Sequence, residues 1–176
     1  ATITLDETGS TFAAGASLNT TGSSGNATVD TGTNALDIAA STIGGTLTLR
    51  SGHASGITDS GTVTVGGNLI ATTDANSGVI DLGTTTVTGT MDLTSHGTGN
   101  VTIDNGNADI VLIASEIGGT LTLTTGAGTG ITDTGTVTVG GNLVATTDAN
   151  DGVIDLGTTT VTGTMDLTSH GTGNVT

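Results

Sequence analysis

At 176 residues the chain carries 16 acidic side chains against a single arginine and no lysine, a net charge of −15. One cation cannot neutralise phosphate backbones or anionic lipid, so nucleic acid and anionic membrane surfaces are excluded as direct partners. One aromatic residue (Phe12), 31 glycines and no Trp, Tyr, Cys or Pro argue against a globule with a bulky core and for a thin one of β-branched side chains.

Residues 1–13 read as the back half of a repeat unit, with an alternating strand at 2–5 and a turn at 7–9. Residues 14–43 make a longer unit, aligning with 88–117 through Gly15/Gly89, Asn26/Asn100, Thr28/Thr102, Asp30/Asp104, Gly32/Gly106, Ser41/Ser115 and Ile43/Ile117. From Gly44 the pattern is explicit. Residues 44–102 return as 118–176 at an offset of 74, with only eight of 59 positions differing. Inside that period lie units 44–65, 66–87 and 88–117, opening alike as GGTLTL, GGNLIA and TGTMDL. Units 118–139 and 140–161 and a partial unit 162–176 complete the chain, a single repeat array without linker or domain boundary.

In unit 44–65 the alternation predicts three short strands, 46–49, 57–59 and 62–65, joined by Gly- and Ser-rich turns. Strands this short pair with their equivalents in the next unit, in parallel, about 4.8 Å away. The predicted fold is all-β, a parallel β-helix or β-solenoid with coils of 22, 22 and 30 residues. Three apolar columns follow: Leu47, Leu69, Met91, Leu121, Leu143 and Met165; Ile43, Val65, Val87, Ile117, Val139 and Val161; and Ile57, Val79, Val101, Ile131, Val153 and Val175. Gly45, Gly67, Gly89, Gly119, Gly141 and Gly163 form a glycine column at a shared corner. The eight extra residues of the longer unit surround DNGNAD at 104–109, a turn signal that predicts a protruding turn or a longer side.

The phrases GTVTVGGNL and GGTLTL, in long near-identical repeats without cysteine, resemble the repeat regions of filamentous-haemagglutinin-like adhesins and autotransporter passengers, large secreted bacterial exoproteins. The resemblance implies a right-handed β-helix, exported to the cell surface and serving as a stalk, fibre or adhesin. It would meet host or neighbouring cells through regions outside this chain. The absence of cysteine is compatible with an extracellular place. No run of about 18 apolar residues occurs, so no helix inserts in a membrane. The start at Ala1 reads as a mature product or an excerpt, and the mid-coil ends as edges met by further copies of the repeat, within one chain or end to end between chains.

Chemistry is sparse in this alphabet. Ser95–His96 with Asp74, and Ser169–His170 with Asp148, spell a Ser/His/Asp set. A serine beside its own histidine is poorly placed for attack by that ring, so these are read as solvated corners and the chain as no enzyme. Asp59 above Asp81, and Asp133 above Asp155, would stack like charges one coil apart; with the corners 74–78 and 148–152 they offer hard oxygen ligands for calcium. Outward T-x-T pairs at Thr62/Thr64, Thr84/Thr86, Thr136/Thr138 and Thr158/Thr160 resemble the ranks of β-helical ice-binding proteins, interrupted at Ala114/Glu116 and Ala40/Thr42. Four N-x-T sequons begin at Asn19, Asn26, Asn100 and Asn174.

Overall fold

A computed structural model describes residues 1–74, 76–148 and 150–176. Among these there are 21 strands and no helix, every strand pair parallel, arranged as sheets of 11, seven and three strands. The strands wind into a solenoid of about seven turns. Alternation decides which side chains enter it: Leu47–Ser51, Leu69–Thr73, Met91–Ser95, Leu121–Thr125 and Leu143–Thr147 each bury their first, third and fifth residues. The first two of each trio are aliphatic and the fifth is Ser or Thr. In three of the five that buried hydroxyl turns back on the adjoining corner, as in Thr73 Oγ1 donating to Gly78 O at 2.9 Å and Ser95 Oγ to Gly99 O at 2.7 Å, while Ser51 and Thr125 donate to Asn34 O and Ala108 O of the coil below. Among the described residues no buried side-chain nitrogen or oxygen lacks a partner. A core this narrow thus ends each long strand without an orphaned polar group.

The turn length is nearly constant. Ile3 pairs with Ala27, Ala27 with Leu47, Leu47 with Leu69 and Leu69 with Met91, each partner lying one such turn further along the chain. The longer unit does not form one enlarged coil. Met91 is covered by Leu112 and Val101 by Leu121, so the turn keeps its usual length through residues 88–117. The extra residues supply one more side of a three-sided coil, so the 74-residue period takes about three and a third turns. Each expected column therefore breaks at residues 88–117 and resumes one side further round. Leu47, Leu69 and Met91 stack in the 11-stranded sheet, whereas Leu121, Leu143 and Met165 continue Leu36, Ile57, Ile80 and Val101 in the seven-stranded sheet. Ile43, Val65 and Val87 form the three-stranded sheet, and Ile117, Val139 and Val161 move to the 11-stranded one.

Two side chains make the change of side possible. Val87 is the last residue of the three-stranded sheet, and no strand follows above it among the described residues. The fully buried Asn105 stands in for one: Val87 N donates to its Oδ1 at 2.7 Å, and its Nδ2 donates to Val87 O at 3.0 Å and Asp109 O at 2.7 Å. The DNGNAD turn is thus folded inward at its second residue, which a solvent-facing protrusion would not require. Ser115 then repairs the bulge left where two short strands, Ile110–Leu112 and Ser115–Ile117, share the long strand beneath them. Its Oγ accepts from Leu93 N at 3.2 Å and donates to Ile113 O at 3.1 Å. Ser41 does the same for Leu18 N and Ala39 O.

Smaller shifts of register separate expectation from structure. Ile80, not Val79, stacks on Ile57, and Ile154, not Val153, follows Ile131. The corners before them hold one residue more, with Ser77 and Asp151 in the left-handed region at φ 58° and 61°. At the start of the chain Ala16 pairs with Ile38 as Met91 pairs with Leu112, so the equivalence is shifted by one position and Gly15 does not correspond to Gly89. The glycine column divides as the apolar ones do: Gly45, Gly67 and Gly89 line one corner, and Gly99, Gly119, Gly141 and Gly163 another. Close approach explains them. A Cβ on Gly67 would lie 2.7 Å from the Gly45 carbonyl, and one on Gly141 equally near that of Gly119.

Candidate functional site

The four aspartates expected as cation ligands are not stacked on one another. Register places Asp81 over Thr58 and Asp155 over Thr132, one residue out of line with Asp59 and Asp133. Asp59 reaches upward instead, accepting from Gly83 N at 3.0 Å, Thr84 N at 2.9 Å and Thr84 Oγ1. Asp133 accepts from Thr158 N at 3.0 Å and Thr158 Oγ1 at 2.8 Å. Each carboxylate braces the turn of the next coil, a charge-assisted role. Among the described residues no three His, Cys, Asp or Glu side chains are grouped as a metal would need. Ala75 and Ala149, inside the two acidic corners, lie outside the described residues.

In the two Ser/His/Asp sets the histidine and the serine are each engaged by backbone carbonyls. The Nδ1 of His96 is 2.6 Å from Thr73 O, and that of His170 contacts Thr147 O. Ser95 is buried and donates to Gly99 O, while its oxygen also accepts from Gly118 N at 3.2 Å. Asp74 is engaged by Arg50, whose Nη2 is 3.0 Å from its Oδ1 and whose Nε is 3.8 Å from Asp30 Oδ2. The one arginine of the chain thus ties together carboxylates from the coils below and above. Asp92, in register with Ile70, has its carboxyl pKa raised by burial.

The T-x-T pairs point outward, but on two different sides. Thr64 and Thr86 are in register in the three-stranded sheet, next to Thr42. Thr138 and Thr160 are in register in the 11-stranded sheet, above Glu116. Thr62 and Thr84, and likewise Thr136 and Thr158, flank those strands on the exposed side. Each side has two ranks of the motif. A shallow groove of about 280 Å³ indents the second side, lined by Thr94, Ala114, Ser115, Glu116, Thr136 and Thr138. It sits at the bulge that Ser115 repairs.

A second surface feature includes two of the sequon asparagines, Asn26 and Asn100. The exposed corner asparagines Asn26, Asn68, Asn100 and Asn142 each accept, through Oδ1, an N–H just ahead of a long strand of the next coil: Thr46 N at 2.9 Å, Thr90 N at 3.0 Å, Thr120 N at 2.8 Å and Thr164 N at 2.9 Å. They hold the oxygen against the corner glycines Gly45, Gly89, Gly119 and Gly163.

Residues 24–78 and 98–156 match a family described as repeats of unknown function (DUF5649). Those two segments cover more than half of the chain, and their starts are separated by one internal period. The chain belongs to this family. No curated protein and no solved structure matches it. A DUF5649 repeat, as this chain folds it, is therefore a set of solenoid coils.

Proposed function

We propose that this chain is a non-enzymatic rod segment of a secreted or cell-surface protein, an adhesin stalk or extracellular filament of the filamentous-haemagglutinin-like kind. The observation that supports this reading is the stack of parallel strands around one continuous core, with Asp59, Asp133 and Arg50 tying coil to coil. Repeat arrays of this sort gain stability from neighbouring coils, so length can grow without redesign. Further copies of the repeat would extend the same rod.

Seven coils at a spacing of about 4.8 Å make a rod about 34 Å long, and each added 74-residue repeat would lengthen it by about 16 Å. Small-angle scattering of the chain and of versions carrying one and two more repeats tests the shape; an unchanged cross-section with that increment is expected, and a growing globule would refute it. Protease treatment of intact source cells tests the location. Release of the repeat from outside is expected, and full protection would contradict a surface role.

A further inference from the structure

Among the described residues, four asparagines outside N-x-T sequons spend Nδ2 on the protein, whereas no sequon asparagine does. Asn34, Asn76, Asn105 and Asn150 use Nδ2 to donate to protein carbonyls, those of Ser10, Gly52, Val87 and Gly126 among them. None of these four begins a sequon. Asn19, Asn26, Asn100 and Asn174 do, all are exposed, and among the described residues none has its Nδ2 bound to a protein acceptor. At Asn26 and Asn100 the free nitrogen is fixed in direction, because Oδ1 is held by Thr46 N and Thr120 N. Substitution on Nδ2 would leave that contact intact.

The corner duty of these asparagines does not require the threonine two residues on. Asn68 and Asn142 make the same contact and are followed by Leu69–Ile70 and Leu143–Val144. Thr28 and Thr102 are an addition, lying in strands Ala27–Asp30 and Val101–Asp104 on the same outward side as Asn26 and Asn100. The sequon recurs at 26, 100 and 174, in phase with the 74-residue period. Since each period advances the pattern by one side, Asn26 precedes a strand of the 11-stranded sheet and Asn100 a strand of the seven-stranded sheet. Attachments would emerge on different sides of the rod rather than in one row.

We propose that Asn26, Asn100 and Asn174 are N-glycan acceptor sites, with Asn19 as an additional one, supplied by a sugar activated on a diphosphate. In the transfer Nδ2 forms a bond to the anomeric carbon, the bond from that carbon to the diphosphate oxygen breaks, and the Nδ2 proton passes to a base of the transferase. Glycan acceptance at these corners is independent of whether the rod is an adhesin.

The test uses the folded full chain in two arms, one with a soluble sequon-specific transferase and a nucleotide-activated hexose, the other with a membrane oligosaccharyltransferase and a lipid-linked oligosaccharide. Peptide mapping by mass spectrometry reads every asparagine. Occupancy at Asn26, Asn100 and Asn174 in at least one arm is expected, with Asn68 and Asn142 unmodified. Thr102→Ala should abolish occupancy at Asn100 with an unchanged circular dichroism spectrum and without affecting Asn26. A chain left unmodified in both arms, or equal modification of Asn68 and Asn142, would overturn it.

Discussion

The carboxamide of Asn105 bonds to Val87 as a strand residue would, accepting from its N–H at 2.7 Å and donating to its carbonyl at 3.0 Å. It closes the three-stranded sheet where the path moves round by one side. Asn105→Ala would strand the N–H and carbonyl of Val87 and the carbonyl of Asp109 in the core. Leaving buried polar groups unpaired should cost about 3 kcal/mol or more, read as a lower urea midpoint. An unchanged midpoint would show that the carboxamide does not close the sheet.

The two aspartates of each supposed pair should behave differently. Asp59→Ala removes three hydrogen bonds to the turn at Gly83 and Thr84 and is expected to cost about 1–2 kcal/mol. Asp81→Ala, with no such bonds among the described residues, should be nearly neutral. Thermal melts of the two variants at equal ionic strength make the comparison; equal losses would contradict the bracing role.

Corner glycines separate in the same manner. A Cβ at Gly67 meets the Gly45 carbonyl at 2.7 Å, whereas one at Gly83 finds only Asp81 Oδ1 at 3.9 Å. Gly67→Ala must push two backbones apart and should destabilise by about 1–3 kcal/mol. Gly83→Ala should change the melting temperature little. The reverse order would mean that the coils are not this close.

The turn spacing and the parallel pairing were legible because Leu47, Leu69 and Met91 recur at one interval on alternating strands. The phase beyond Thr88 was not. Leu112 and Leu121 are equally apolar, and alternation alone does not say which of them covers Met91. That choice is made by Asn105 and Ser115, two polar residues whose burial sequence pattern does not announce. The aspartate register escaped for a related reason: Ser77 and Asp151 in left-handed conformation each take up one residue in a corner, displacing Asp81 and Asp155 from the positions that a strict repeat count gives. At the candidate sites, sequence supplied the residue types and the sequons, while the coil-to-coil hydrogen bonds of Asp59, Asp133 and Asn100 needed the turns in place.

Asp92 provides a test by pH. Burial raises its carboxyl pKa above the ordinary value, so the folded chain takes up a proton more readily than the unfolded one. The ionised form therefore costs stability at neutral pH, and the cost fades as the pH falls through the raised value. Asp92→Asn should be more stable than the parent near neutral pH, by about half a kcal/mol or less because the group is partly solvated. Urea titrations should show the difference closing as the solution is acidified; a growing difference would contradict the assignment.

The change of side is tested most directly by cross-linking. Thr102 and Thr122 are register partners on outward positions of adjacent coils, whereas a single enlarged coil would put Asp92 beneath Thr122. The chain has no cysteine of its own, so engineered pairs are unambiguous, and neighbouring parallel strands bring Cα atoms about 5 Å apart, within disulfide reach. Under mild oxidation the double variant Thr102→Cys/Thr122→Cys should form an intramolecular disulfide, and Asp92→Cys/Thr122→Cys should remain reduced. Closure of the second pair with failure of the first would contradict the three-and-a-third-turn repeat.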